Sequence, residues 1–168
     1  MFESVLLALQ HSHTGFSGLR VATSTQDRVS AVLTRLGLKE LESRTMSQLS
    51  GGQRQLVSFA QAIVRRPRAL LLDEPTSALD LRNQLTLMEH ICTYAVEAPA
   101  AVVVTMHDLS HAARFADRIA VLHNGTVYAH GAVEDVLTEE MLREVYRVDG
   151  TITPTGDGNV AITTSRAI

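Results

Sequence analysis

Apolar residues recur at helical spacing in the first part of the chain and in short continuous runs after it. Phe2 to Leu9 is largely apolar and predicts a helix, whereas His11 to Ser24 is rich in Gly, Ser, Thr and His and predicts a loop. Asp27 to Leu38 places Val29, Val32, Leu33 and Leu36 on one helical face, with Gly37 as its stop. A second amphipathic helix starts just after Ser50; Leu56, Phe59, Ala60, Ile63 and Val64 share its face and Pro67 ends it. The texture then changes. Ala69 to Leu72 is a short unbroken apolar run, the pattern of a buried parallel strand. A helix from about Leu81 to Ala95 follows, and Ala101 to Thr105 is a second buried strand, rich in β-branched residues. Leu109, Ala112, Ala113 and Ala116 mark a further helix. Arg118–Leu122 and Thr126–Ala129 flank His123-Asn124-Gly125, where the Asn-Gly step predicts a hairpin turn. Thr138 caps a last helix carrying Met141, Leu142, Val145 and Tyr146, and the tail from Asp149 reads as a weak hairpin.

A helical part followed by alternating strands and helices implies an α/β layer built on a parallel sheet. The expected segments are a helical subdomain over 1–66, part of an α/β core over 67–148, and a polar tail or hairpin over 149–168. The length suits one domain of ordinary size. Apolar and charged content are those of a soluble globular protein, and the net charge of −3 argues against general nucleic-acid binding. Arg65, Arg66 and Arg68 form the densest basic spot, at a helix end where cations favour the dipole. Cys92 is the single cysteine, so no internal disulfide is expected and a small core residue is its plainest role. No apolar run reaches membrane-spanning length, and the start lacks the basic leader of a signal peptide. His11 and His13 have no accompanying Cys or carboxylate cluster and read as loop residues.

Three places carry candidate chemistry. Ser50-Gly51-Gly52 opens a helix, where free backbone N–H groups and the positive end of the dipole attract an anion, and glycines allow phosphate oxygens to approach. The same residues also suit a plain serine cap. Asp73-Glu74 closes an apolar strand. Carboxyl ends of parallel strands face the crevice where ligands bind, and side chains alternate along a strand, so the two acids have different tasks. His107 follows the next strand, which places it near the same crevice; Asp108 reads as a helix cap. His90, His111, His123 and His130 have no comparable setting.

Leu49-Ser50-Gly51-Gly52-Gln53-Arg54-Gln55, Leu70-Leu71-Leu72-Asp73-Glu74-Pro75 and the trailing Thr76-Ser77-Ala78-Leu79-Asp80 resemble the signature loop, the Walker B strand and the D-loop of ATP-binding-cassette (ABC) transporter ATPases. The likeness runs from Phe2 to about Tyr146 and implies part of a P-loop NTPase fold: the helical subdomain plus the C-terminal half of the parallel-sheet core. Asp80-Leu81-Arg82-Asn83-Gln84, His107-Asp108-Leu109 with Ala112 to Asp117, and Gly131 with Glu134 to Thr138 are similar to importers of iron–siderophore, haem or vitamin B12 type. The resemblance implies a head-to-tail dimer with a second ATPase subunit, in which Ser50, Gly51, Gly52 and Gln53 serve ATP held by the opposite subunit. Asp73 would hold Mg²⁺ through water, Glu74 would act on the attacking water, His107 would contact the γ-phosphate, and Asp80 would run along the dimer interface. It further implies permease partners, a periplasmic or extracellular binding protein acting indirectly, no nucleic acid, and a cytoplasmic location against the inner membrane face.

One element of that family is missing from the sequence. The P-loop needs Gly-Lys followed by Ser or Thr, but the only lysine, Lys39, lies in Gly37-Leu38-Lys39-Glu40. The expectation is therefore an N-terminally truncated ATPase subunit beginning beyond the P-loop and Q-loop. It would bind Mg-ATP weakly and be inactive alone, with the strand at Ala69–Leu72 lacking a neighbour. The alternative is a non-catalytic partner supplying its signature loop in trans. A soluble ABC protein of DNA repair or translation fits less well, because coiled-coil insertions and duplicated cassettes are absent from the sequence.

Overall fold

A computed structural model describes residues 1–10, 23–155 and 160–168, which fall into two compact units, Met1–Thr105 and Met106–Ile168. The proposed loop from His11, with His11 and His13, lies outside the described residues as far as position 22.

The first unit opens with three helices, α1 (Phe2–Gln10), α2 (Thr23–Arg35) and α3 (Gly51–Ile63). Each packs on the other two. Val29, Leu33, Ala60 and Val64 are fully buried, as their helical spacing predicts, and so are Val5 and Val57, whereas Leu56 is half-buried. Gln61 Nε2 donates to the Ser4 carbonyl and hydroxyl, both at 3.2 Å, and ties α1 to α3. α2 begins at Thr23 rather than at Asp27, because Thr23 to Gln26 carry no apolar periodicity that a sequence reading can detect. Its end is as expected: Gly37 adopts φ +67°. Gly37 N donates to Thr34 O (3.1 Å) and Leu38 N to Leu33 O (2.8 Å), the paired bonds of a Schellman stop.

After α3 the chain forms β1 (Ala69–Asp73), α4 (Leu81–Glu97) and β2 (Ala101–Thr105). β1 and β2 pair in parallel, Ala69 beside Ala101 through Asp73 beside Thr105. β1 therefore has a neighbour on one side, and its other edge has no strand partner among the described residues, in line with the expectation that it lacks one. The two strands are not buried runs. Leu70 is buried, but Leu71 and its partner Val103 are 76% and 55% exposed, so one face of this two-stranded sheet is apolar and open. An unbroken apolar run reports two apolar faces and cannot say that both are covered.

In the second unit, α5 (Leu109–Phe115) is capped by Asp108, whose carboxylate accepts from Ser110 N and His111 N. β3 (Ile119–His123) and β4 (Thr126–Gly131) form the expected antiparallel hairpin. Asn124 and Gly125 both have positive φ, as a two-residue type I′ turn requires. α6 (Val133–Val136) and α7 (Glu139–Tyr146) follow, the latter capped by Thr138, which accepts from Met141 N. The tail is a hairpin, β5 (Val148–Pro154) with β6 (Val160–Ala167). Val121, Val136, Leu137, Met141 and Leu142 form the core of this unit, with Ile152 and Ile162 of the hairpin against it.

Two features fix that hairpin. A side chain on Gly150 would stand 2.8 Å from Thr163 O and 3.1 Å from Leu142 Cδ1. Asp149 accepts from Arg166 Nε (2.7 Å) and Arg143 Nε (3.1 Å), and these two arginines hold its carboxyl below the usual carboxylate range. Gly150→Ala is expected to cost about 1–3 kcal/mol by overpacking, measured by urea unfolding. A group whose folded pKa is depressed stabilises above its unfolded value and loses that contribution as pH falls through the folded one. Asp149→Asn should therefore flatten the fall in melting temperature below about pH 4; an unaltered pH profile would show that the arginine pair contributes nothing.

Candidate functional site

α3 starts where it does because Ser50 and Gln53 cap each other. Ser50 Oγ accepts from Gln53 N (3.2 Å), and Gln53 Oε1 accepts from Ser50 N (2.9 Å). This is a complete capping box. The plain-cap function and anion attraction are compatible here, because the Ser50 hydroxyl accepts in this bond and its own proton is still available to donate. The early N–H groups of the helix have no intrahelical acceptor. The two glycines differ. Gly51 is exposed, and a side chain there would meet nothing within 4 Å; Gly52 is buried, and a side chain there would collide with Asn83. Open backbone for an approaching phosphate is thus found at Gly51.

β1 ends at Asp73, directly beside Thr105 at the end of β2. Thr105 Oγ1 donates to Asp73 Oδ1 (2.6 Å) and accepts from Glu74 N (2.9 Å). Asp73 also lines a cavity of about 130 Å³ with Gln55, Ser58 and Phe59 of α3, Leu71, Leu72, Pro75 and Leu87. Glu74 has φ +42°, in the left-handed region. Such a conformation costs a non-glycine residue about 1–2 kcal/mol and persists where the surroundings over-determine it. Here they do: Thr105 accepts its N–H, while Ser77 N (3.2 Å) and Ser77 Oγ (3.1 Å) both donate to its carbonyl. The chain thereby turns sharply at the strand end.

The turn runs on to Asp80, which caps α4. Asp80 Oδ1 accepts from Asn83 N (2.9 Å) and Oδ2 from Asn83 Nδ2 (2.8 Å). Gln84 Nε2 donates to Thr76 O (3.2 Å), tying α4 back to the turn. Ser50 to Gln53, Asp73, Glu74 and Asp80 all lie in the first unit; His107 comes two residues after β2 and opens the second. Sequence reasoning missed Thr105 and Asn83. The signal for Thr105 was a hydroxyl at the end of the strand next to the acids. Nothing local marks Asn83.

No cluster of three or more potential metal ligands exists among the described residues. A lone carboxylate is nevertheless a fitting donor for Mg²⁺, which keeps several waters and takes phosphate oxygens alongside one or two carboxylates. Asp73, anchored through one oxygen and bordering a cavity, matches that donor chemistry. Gly51 and the Ser50 hydroxyl match phosphate.

A parallel strand ending in paired acids, a capped glycine turn opening a helix, and the turn that links the acids to the next helix define the class as an ATP-binding cassette. The chain belongs to the ABC transporter family, whose model matches residues 3–77. It is 39% identical over 150 residues to the hemin import ATP-binding protein HmuV of Rhodopseudomonas palustris, a match covering 84% of this chain and 55% of that one. It is 39% identical over 168 residues to the HmuV of Burkholderia lata, covering 93% and 60%. The chain thus spans less than two thirds of the length of these relatives. In structure it is similar to a metal-chelate type ABC transporter in an inward-facing conformation, with TM-score 0.86, 26% identity, and coverage of 98% of this chain and 66% of that one. It is also similar to a dimeric ATP-binding cassette bound to ADP and Pi, with TM-score 0.65, 32% identity, and coverage of 79% and 56%.

The Thr105 hydroxyl holds both acids, so Thr105→Val, which keeps the β-branched shape, is expected to lose ~1 kcal/mol of stability with unchanged secondary structure. Urea unfolding and circular dichroism check this; an unmoved midpoint would show that the hydroxyl is dispensable.

Proposed function

We propose that this chain is part of the ATPase subunit of an ABC importer for haem, iron–siderophore or cobalamin cargo. The observation that carries the reading is the open, serine-capped start of α3 at Gly51, in the same unit as the acidic end of β1. The hemin-import names of the relatives and the metal-chelate type of the structural neighbour support the cargo class. Partners on this reading are a second cassette, membrane permease subunits and, indirectly, an external binding protein. The place of work is the cytoplasmic face of the membrane, reached through the permease. No helix among the described residues is long and apolar enough to cross a membrane.

Bound Mg-ATP supplies the phosphoryl group and the charge that the site must organise. Ser50, Gly51, Gly52 and Gln53 present N–H and hydroxyl donors to ATP of the opposite subunit. Asp73, with one oxygen pinned by Thr105, would hold magnesium through water. On this reading Glu74, its backbone held by Thr105 and Ser77, takes the proton of the attacking water. The resemblance gives His107 the γ-phosphate contact and Asp80 a place along the subunit interface.

A second reading takes the open, capped signature turn at Gly51 as the part that functions. On that reading these residues dock on a complete cassette and contribute only the signature turn. Mg-ATP binding by the 168-residue polypeptide itself is expected to be weak, and calorimetry showing tight binding would overturn that. In a cassette that joins these residues to a Gly-Lys-Ser/Thr loop, Glu74→Gln should leave ATP affinity unchanged and slow hydrolysis by ~10²-fold or more. Unchanged turnover removes Glu74 from the role of base. Stable co-purification with a complete cassette, without turnover dependent on Glu74, selects the second reading.

A further inference from the structure

Gly52 and Asn83 meet at the N-termini of two helices, α3 and α4. An ideal side-chain carbon on Gly52 would stand 2.5 Å from Asn83 Cγ, 2.7 Å from Oδ1 and 2.9 Å from Nδ2, all closer than real carbons approach. The Asn83 carboxamide therefore occupies the space that any other residue at position 52 would need. It is not loosely placed. Asp80 uses both carboxylate oxygens to hold it, one on the Asn83 backbone N–H and one on Nδ2.

We infer that Asn83 is a positioning residue for the signature turn: clamped by Asp80, it seats Gly52 and so sets the helix start that presents Ser50 and Gly51. The inference rests on the proposed function of that turn and adds a mechanical link to it. The link continues backwards. Gln84, one residue on, bonds the Thr76 carbonyl, and Ser77 bonds the Glu74 carbonyl. The acid at the end of β1, the turn to Asp80, Asn83 and the start of α3 thus form one connected chain of contacts within the first unit. A shift of Asp80, the residue expected at the subunit interface, would be passed to Gly52 through a side chain with no slack. The two glycines consequently have different reasons to be glycine: Gly51 leaves room for a ligand, and Gly52 leaves room for Asn83.

The contact makes a reciprocal test possible. In the 168-residue chain, Gly52→Ala forces a clash and should lower the melting temperature by ~5 °C or more. Asn83→Ala removes all three clashing atoms, so the Gly52→Ala/Asn83→Ala double variant should regain the melting temperature of Asn83→Ala alone, a coupling that independent sites do not show. Failure of this rescue overturns the seating. Hydrogen exchange reads the positioning directly. The Gln53 and Arg54 amides, bonded to Ser50 Oγ and O, should exchange about ten-fold faster in Asn83→Ala and also in Asn83→Leu. Leucine keeps the bulk and the backbone N–H bond to Asp80 but loses the Nδ2 bond, so wild-type exchange in Asn83→Leu overturns the clamp.

Turnover separates this inference from the reading beneath it. With a complete cassette as partner, Asn83→Leu should cut ATP hydrolysis about ten-fold, the scale of one misplaced group in a preorganised site, at an unchanged melting temperature. If rescue and exchange behave as stated but neither Asn83→Leu nor loss of Ser50 affects hydrolysis, the seating stands and the proposed function of the turn falls. If hydrolysis depends on Ser50 yet is indifferent to Asn83→Leu, Asn83 is not a positioning residue.

Discussion

The parallel register of β1 and β2 places the Thr105 hydroxyl beside Asp73, and much of the first unit's geometry follows from that one placement. A hydroxyl both donates and accepts. Thr105 gives its proton to the Asp73 carboxylate and receives the Glu74 N–H, so a single atom terminates the strand and starts the turn. The energy of two such bonds, each about 1 kcal/mol net, is comparable to the cost of holding Glu74 in a left-handed conformation. Without the turn, the chain would not reach Asp80 where it caps α4. Without α4 in that place, Asn83 would not stand over Gly52.

This dependence ties together two separate segments of one small unit. The acids at the strand end and the glycine turn of α3 belong to different segments of the chain, each with its own hydrogen bonds. They are related through the turn from Pro75 to Asp80, whose polar groups bond at both ends: Ser77 to Glu74, and Gln84 to Thr76. Bonds of this kind set position more than they add stability, since each mostly replaces one to water. Stability comes instead from the apolar faces of α1, α2 and α3 and from the buried Leu87, Met88 and Ile91 of α4.

What was legible in advance is what spacing encodes. The Asn-Gly hairpin and the caps Asp108 and Thr138 appear as read, because each depends on residues within a turn or two of one another. The strands were found but their surroundings were misjudged. Leu71 and Val103 are exposed, since an apolar run shows what a strand tolerates and not what covers it. α2 began earlier than its apolar stripe, because a polar first turn carries no periodic signal. Glu74 gave no hint of its φ, as glutamate has no preference for the left-handed region.

The sequence by itself determined the family, the order of elements and the residue types of the candidate site, because motif, period and cap are local properties of the chain. Only the tertiary structure decided which glycine faces open space, which hydroxyl bonds Asp73 and which side chain stands against Gly52. Those answers depend on atoms contributed by other segments. Asn83 touches Gly52, and Thr105 touches Asp73, only after α4 and β2 have been placed, and no spacing rule along one segment records where a second will lie.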